Sequence, residues 1–106
     1  MEWEFDFQLA QEDMDNLDGS LRKQVMSGFK KLKSNPLHYG KQLGHKNDID
    51  LSGCRELKFK QSGIRVIYRV SDSEHQIVIL AVGPRADFEV FRVAKSRILK
   101  TKNLNS

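Results

Sequence analysis

Gly53 to Arg85, GCRELKFKQSGIRVIYRVSDSEHQIVILAVGPR, is the stretch around which the rest of the chain is arranged. It reads as three consecutive strands. Glu56, Lys58 and Lys60 take alternate positions on the first, with Leu57 and Phe59 between them. Successive side chains of a strand point to opposite faces, so the charged set separates from the apolar set. On the second strand Arg65, Ile67 and Arg69 alternate with Ile64, Val66, Tyr68 and Val70, which gives Tyr68 the parity of the core. Gln61-Ser62-Gly63 between them supplies the glycine that a tight hairpin needs for positive φ. The third strand, Gln76 to Val82, is apolar on both faces, so it belongs at the centre of the sheet and delivers Arg85 at its end. One face of the sheet is expected to be cationic.

Outward from this stretch the pattern changes period. Met1, Trp3, Phe5, Phe7 and Leu9 alternate with Glu2, Glu4, Asp6 and Gln8, which predicts a half-buried strand whose acids would discourage pairing with another chain. A short helix is expected over Gln11 to Leu17. Asp18-Gly19-Ser20 then marks a turn and a cap for a second helix, in which Leu21, Val25, Phe29 and Leu32 form one apolar stripe. That helix stops near Ser34, because Pro36 biases Asn35 away from helical geometry. Its other face holds Arg22, Lys23, Lys30, Lys31 and Lys33, ordinarily a solvated run, with RNA or ribosome contact as the other reading. Residues 37–53 read as a long loop anchored by Leu37, Leu43 and Leu51. Phe88, Phe91, Ala94 or Lys95, and Ile98 recur at helical intervals, predicting a terminal helix from Phe88 to Leu99 and a frayed tail beyond it.

The 106 residues suffice for one domain with a single core. No apolar run approaches the roughly 18 to 20 residues of a membrane helix, and MEWEFDF lacks the basic and apolar regions of a signal peptide, so a cytoplasmic protein is expected. Cys54 is the only cysteine; it cannot form an internal disulfide, and it reads as a small buried residue. His38, His45 and His75 show no metal-binding spacing. The formal charge of +4 hides an asymmetry. Residues 1–18 hold seven of the fourteen acids and no Lys or Arg, whereas the other 88 residues carry eighteen cations against seven acids, a net +11. Such a balance suits a polyanionic partner.

The order strand, two helices, three strands and a helix, together with these residues, resembles the RelE/ParE superfamily of bacterial toxins. The likeness covers almost the whole chain and is sharpest at LSGCRELKFKQSGIRVIYRV, IVILAVGPR and EVFRVAKSRI. It rests on Leu51-Ser52-Gly53, on Lys58 and Lys60, on the G-x-R-x-x-Y of Gly63 to Tyr68, and on Gly83-Pro84-Arg85 followed six residues later by Phe91. The resemblance implies an α+β fold, with two N-terminal helices on one face of a small antiparallel-rich sheet and a C-terminal helix. It also implies a toxin that cuts messenger RNA in the ribosomal decoding site, needs no cofactor or metal, and is held inactive by a cognate antitoxin. Two positions depart from the RelE pattern: Glu56 stands where a lysine is usual, and Phe91 where a tyrosine is usual.

Metal-independent cleavage of RNA needs a base for the 2′-hydroxyl, positive charge for the five-coordinate phosphorus, and an acid for the leaving 5′-oxygen. Arg65 and Arg85 suit the second task, because a guanidinium stays charged and can bind two phosphate oxygens together, and Arg85 could also donate a proton-sharing hydrogen bond to the leaving oxygen. Lys58 and Lys60 are candidate bases, since neighbouring cations favour the uncharged form of a lysine. Glu56, two positions along the same face, is another. Phe91 is a candidate for stacking on a base or for the core, and Arg55 and Arg69 are peripheral candidates for holding substrate. Two other functions remain open: a ParE-type toxin that poisons DNA gyrase, and an inactive RNA-binding relative.

Overall fold

A computed structural model of the chain describes residues 3–46, 48–84 and 88–104. Its centre is a pair of long antiparallel strands, β6 (Ile64–Ser71) and β7 (Gln76–Pro84). β5 (Arg55–Phe59) pairs antiparallel with β6, placing Lys58 directly opposite Arg65. β1 (Glu4–Asp6) runs parallel to β7 at one edge of the sheet, and the two-residue β2 (Lys41–Gln42) closes the other, giving the order β1-β7-β6-β5-β2. The third apolar strand thus lies inside the sheet, and the acid-bearing N-terminal strand lies at an edge. The β5–β6 turn is closed by the Gly63 amide donating to the Phe59 carbonyl at 2.9 Å, with Gly63 at φ +77°.

Helices cover both faces. On one side lie α1 (Gln11–Asp15) and α2 (Gly19–Ser34), and there Val25, Phe29 and Leu32 meet Ile64, Val66, Tyr68, Ile77, Ile79 and Val82. Asp18 caps α2, its carboxylate accepting from the Leu21 amide at 2.9 Å. Gly28 lets α2 sit close to β5: a Cβ there would lie 2.5 Å from Cζ of Phe59. On the other side α3 (Glu89–Leu104) places Val90, Phe91, Ala94 and Ile98 against Ile67, Leu80 and Ala81. Phe88 is outside this stripe, because it precedes the helix in a left-handed conformation and is exposed. The helix also continues past Leu99, to Leu104.

Residues 37–53 contain more order than a loop. Besides β2 they hold a small hairpin of β3 (His45–Lys46) and β4 (Ile49–Asp50). Leu43 and Leu51 are buried as expected, but Leu37 is exposed. Two-residue strands are too short to show a period, so the sequence gives no sign of them. Cys54 is buried, and burial pushes its thiol up from the ordinary value.

One irregularity shapes the central strands. Ile67 pairs with Ala81 and Tyr68 with Ile79, so Leu80 is an extra residue on β7. Such a bulge flips the parity of everything after it. Ile77 and Ile79 face α2, Leu80 and Ala81 both face α3, and Val82 returns to the α2 side. The bulge frees backbone groups, and two side chains meet them. Asp13 accepts from the Val82 amide at 2.9 Å, and Arg97 donates to the Leu80 carbonyl at 2.8 Å. Arg97 also grips both carboxylate oxygens of Asp13, at 2.7 and 2.9 Å. This clasp ties α1 to α3 around the bulge.

Candidate functional site

The alternation along β5 and the register with β6 bring Glu56, Lys58 and Arg65 together on the face that α3 partly covers. Glu56 is diagonal to Arg65, a spacing at which long side chains touch. Its carboxylate accepts from Arg65 Nη1 at 2.9 Å and lies 3.6 Å from Lys58 Nζ. The Arg65 guanidinium also lies over the Phe91 ring, 5.3 Å from its centroid. Lys60, in the turn, is exposed, and it lines a shallow cavity of about 50 Å³ with Lys58, Phe59, Gly63, Ile64 and Arg65.

The cluster forms, but its depth differs from the sequence reading. Arg65 belongs to the cationic face, yet it is only 8% exposed, held between Glu56 and Phe91. Glu56, a candidate base, is 2% exposed with an oxygen committed to each cation. Packed at that depth between two cations, the carboxylate is closed off from solvent. Phe91 is fully buried, in the core rather than presented for stacking. Arg55 shares parity with Leu57 and donates to the carbonyls of Leu37 and Gly40, at 3.0 and 3.2 Å, so it ties down the loop before β2. Arg69 lies at the far end of β6, paired with Val78, away from the lysines. Arg85 lies outside the described residues. Lys58 and Lys60 are therefore the described cations of the cluster that reach solvent, with the buried Arg65 behind them.

Sequence reasoning did not find the Glu56–Arg65 pair or the Asp13–Arg97 clasp. The first had a signal: a hairpin turn at Gln61-Ser62-Gly63 fixes Lys58 opposite Arg65 and so fixes Glu56 diagonal to it. The second had none, because its partners are 84 positions apart and meet at a bulge in a strand that is apolar on both faces. A larger cavity, of about 260 Å³, lies toward the other end of the hairpin and is lined by Cys54, Arg55, Val70 and Asp72 among others. It has no comparable group of cations.

The sequence model of the ParE toxin of the type II toxin-antitoxin system parDE matches residues 8–87. The chain belongs to the RelE/ParE superfamily of toxins. A RelE-like toxin protein from Escherichia coli is 30% identical over 90 residues, covering 84% of this toxin and 88% of that protein. The mRNA interferase toxin RelE of Escherichia coli K12 is 37% identical over a shorter span of 46 residues, 43% of this toxin and 48% of RelE. Among solved structures, the RelBE2 toxin-antitoxin complex of Mycobacterium tuberculosis contains a chain that aligns with a TM-score of 0.66 at 25% identity, over 80% of this toxin and all of that chain. The isolated Escherichia coli RelE toxin gives 0.66 at 23% identity over 92% of this toxin and 99% of RelE, a likeness of fold.

Proposed function

We propose that this toxin is a ribosome-dependent endoribonuclease that cuts mRNA in the decoding site. The observation that carries the reading is Lys58 directly opposite Arg65, with Lys60 beside them around one shallow cavity. The named mRNA interferase among its relatives supports the same reading. In the proposed reaction Lys58 or Lys60 takes the proton of the ribose 2′-hydroxyl. The 2′-oxygen forms a bond to the adjacent phosphorus while the bond from phosphorus to the 5′-oxygen breaks. The products are a 2′,3′-cyclic phosphate and a 5′-hydroxyl, whose proton comes from water. Arg85 is proposed to hydrogen-bond the leaving 5′-oxygen while that proton arrives. Arg65 supplies fixed positive charge behind the phosphate, and Glu56 fixes the direction of that charge. Since the cluster holds few groups to orient a flexible strand, the ribosome supplies the geometry of the RNA.

By the same reading a cognate antitoxin inhibits the toxin, as the neighbouring structures of toxin-antitoxin complexes support. A second reading is a gyrase-poisoning toxin of the ParE type. It is favoured by the family match and by Phe91 lying buried where the RelE pattern has a tyrosine. One experiment separates them: reconstituted translation with the purified protein, mapping RNA ends with and without ribosomes, beside a gyrase supercoiling assay. We expect new mRNA ends only when ribosomes are present, and unimpaired supercoiling. Efficient codon-specific cutting of naked mRNA would count against the ribosome's role, and gyrase inhibition without RNA ends would establish the second reading.

A further inference from the structure

Phe88 is the one described aromatic residue that combines an unfavourable backbone with an exposed ring at the candidate site. Its φ is +56°, a left-handed conformation in which a bulky side chain is crowded. Such conformations persist where the surroundings impose them, and they gather at sites that bind or react. The residue is 43% exposed although it is a phenylalanine. Its ring lies 5.8 Å from that of Phe91, tilted by 30°, and much of it is open to solvent. Phe91 in turn carries the Arg65 guanidinium at 5.3 Å. The result is a continuous pile of Glu56, Arg65, Phe91 and Phe88, charged at the buried end and aromatic at the open end.

We propose that Phe88 is a platform on which one nucleobase of the RNA stacks while the neighbouring phosphate is held by Lys58, with the buried charge of Arg65 behind it. The proposal rests on the nuclease reading above. Single-stranded RNA is gripped by cations that follow the backbone and by aromatic rings that accept the bases, and every base has a face to offer. Phe91 cannot serve, because it is fully buried. Phe88 can, without any movement of α3. Packing alone does not explain it, since a left-handed position is better filled by asparagine or glycine and a ring meant for the core would not be left nearly half exposed.

The test uses the full-length protein on ribosomes programmed with an mRNA that carries 2′-O-methyl groups in the decoding site, so that it binds without being cut. A 2-aminopurine placed at each of the three codon positions in turn reports stacking through loss of fluorescence. Wild-type protein should quench one position. Phe88→Leu keeps the bulk and loses the π face, while Phe88→Asn suits the left-handed backbone and loses the ring. Both should abolish the quench and weaken binding at least about fivefold. Phe88→Asn should meanwhile lower the melting temperature by less than about 4 °C. Undiminished quenching by either folded variant overturns the proposal, as does a larger loss of melting temperature in Phe88→Asn, which would mark the ring as packing. If wild-type protein cuts unmodified mRNA but quenches no position, the platform fails and the nuclease reading stands. If it neither cuts nor binds, both fail.

Discussion

Glu56 changes what the cationic face can do. A lysine at that position would add a third positive charge beside Lys58 and Arg65, whereas a carboxylate neutralises part of it and fixes the guanidinium. Glu56→Gln keeps the shape and one acceptor for Arg65, so cleavage on ribosomes should fall by less than about tenfold; loss of the order of a hundredfold or more is what removal of a general base would give. Arg65→Ala is a different matter. It strands the buried Glu56 carboxylate and opens space over Phe91, so the folded state should lose about 3 kcal/mol, measured by urea denaturation. Lys60→Ala, at an exposed turn, should leave stability within about 0.5 kcal/mol of the parent. A cleavage defect in Arg65→Ala therefore has to be read beside its stability. Tyr68 supplies a pH-dependent check on the opposite face. Its hydroxyl lies 2.9 and 2.6 Å from the Pro36 and Tyr39 carbonyls and donates its one proton to that pair. Burial pushes the phenol up from its ordinary value of 10.0, and Arg55 alongside draws it partly back. Below pH 10 both folded and unfolded chains keep the proton, and the contribution is complete. As pH rises past 10 the unfolded chain gives up its proton first, so the stabilisation is lost. Tyr68→Phe should cost about 1 kcal/mol at pH 7, and the parent's advantage should shrink above pH 10. An advantage that stayed constant across that range would contradict the assigned burial effect.

The elements owe their arrangement to the bulge at Leu80. Without it Val82 would face α3 and Ala81 would face α2, and neither cluster of the core would close. Asp13 and Arg97 hold it by meeting the Val82 amide and the Leu80 carbonyl that the bulge frees. Asp13→Ala removes the acceptor of the Val82 amide and the two contacts to Arg97, so it should lower stability by about 2 kcal/mol and increase hydrogen exchange at Val82. Equal exchange at Val82 in parent and variant would mean that the clasp does not support the bulge. The strands around it were legible for a simple reason. On β5 and β6 charged and apolar residues alternate, so the Lys58–Arg65 pairing, the core parity of Tyr68 and the turn at Gly63 follow from period and turn chemistry. On β7 every residue from Ile77 to Val82 is apolar, and an insertion in such a run leaves no trace in the pattern. The helix stripe misled in one place. Phe88 and Phe91 have helical spacing, but spacing says nothing of whether the first residue has entered the helix, and Phe88 has not. Burial of Glu56 was illegible for the related reason that parity assigns a face and not a depth: α3, far along the chain, decides how deep that face lies.

At the scale of the whole molecule, positive charge lies on both sides of the sheet. α2 presents Lys23, Lys30 and Lys31 on one side, and Lys58 and Lys60 stand on the other, at the candidate site. Arg22, although part of the α2 run, is engaged locally, donating to the carbonyls of Met14, Asp15 and Leu17 and so closing the C-terminal end of α1. An inhibitory antitoxin could in principle use either side, and inhibition by charge masking requires the second. We expect an acidic segment of the antitoxin to lie across Lys58 and Lys60, neutralising the charges proposed to hold RNA. Lys58→Gln with Lys60→Gln should then weaken the complex about tenfold at physiological salt, and the difference should shrink toward 1 M salt, where the screening length falls to about 3 Å. Lys23→Gln with Lys30→Gln, on the other side of the sheet, should change affinity little. Calorimetric titration of the two double variants at both salt concentrations decides the matter. Normal affinity in the first and weakened affinity in the second would place the inhibitor on α2, leaving Lys58 and Lys60 open to RNA, and inhibition would then have to act through the packing of the sheet rather than by covering the site.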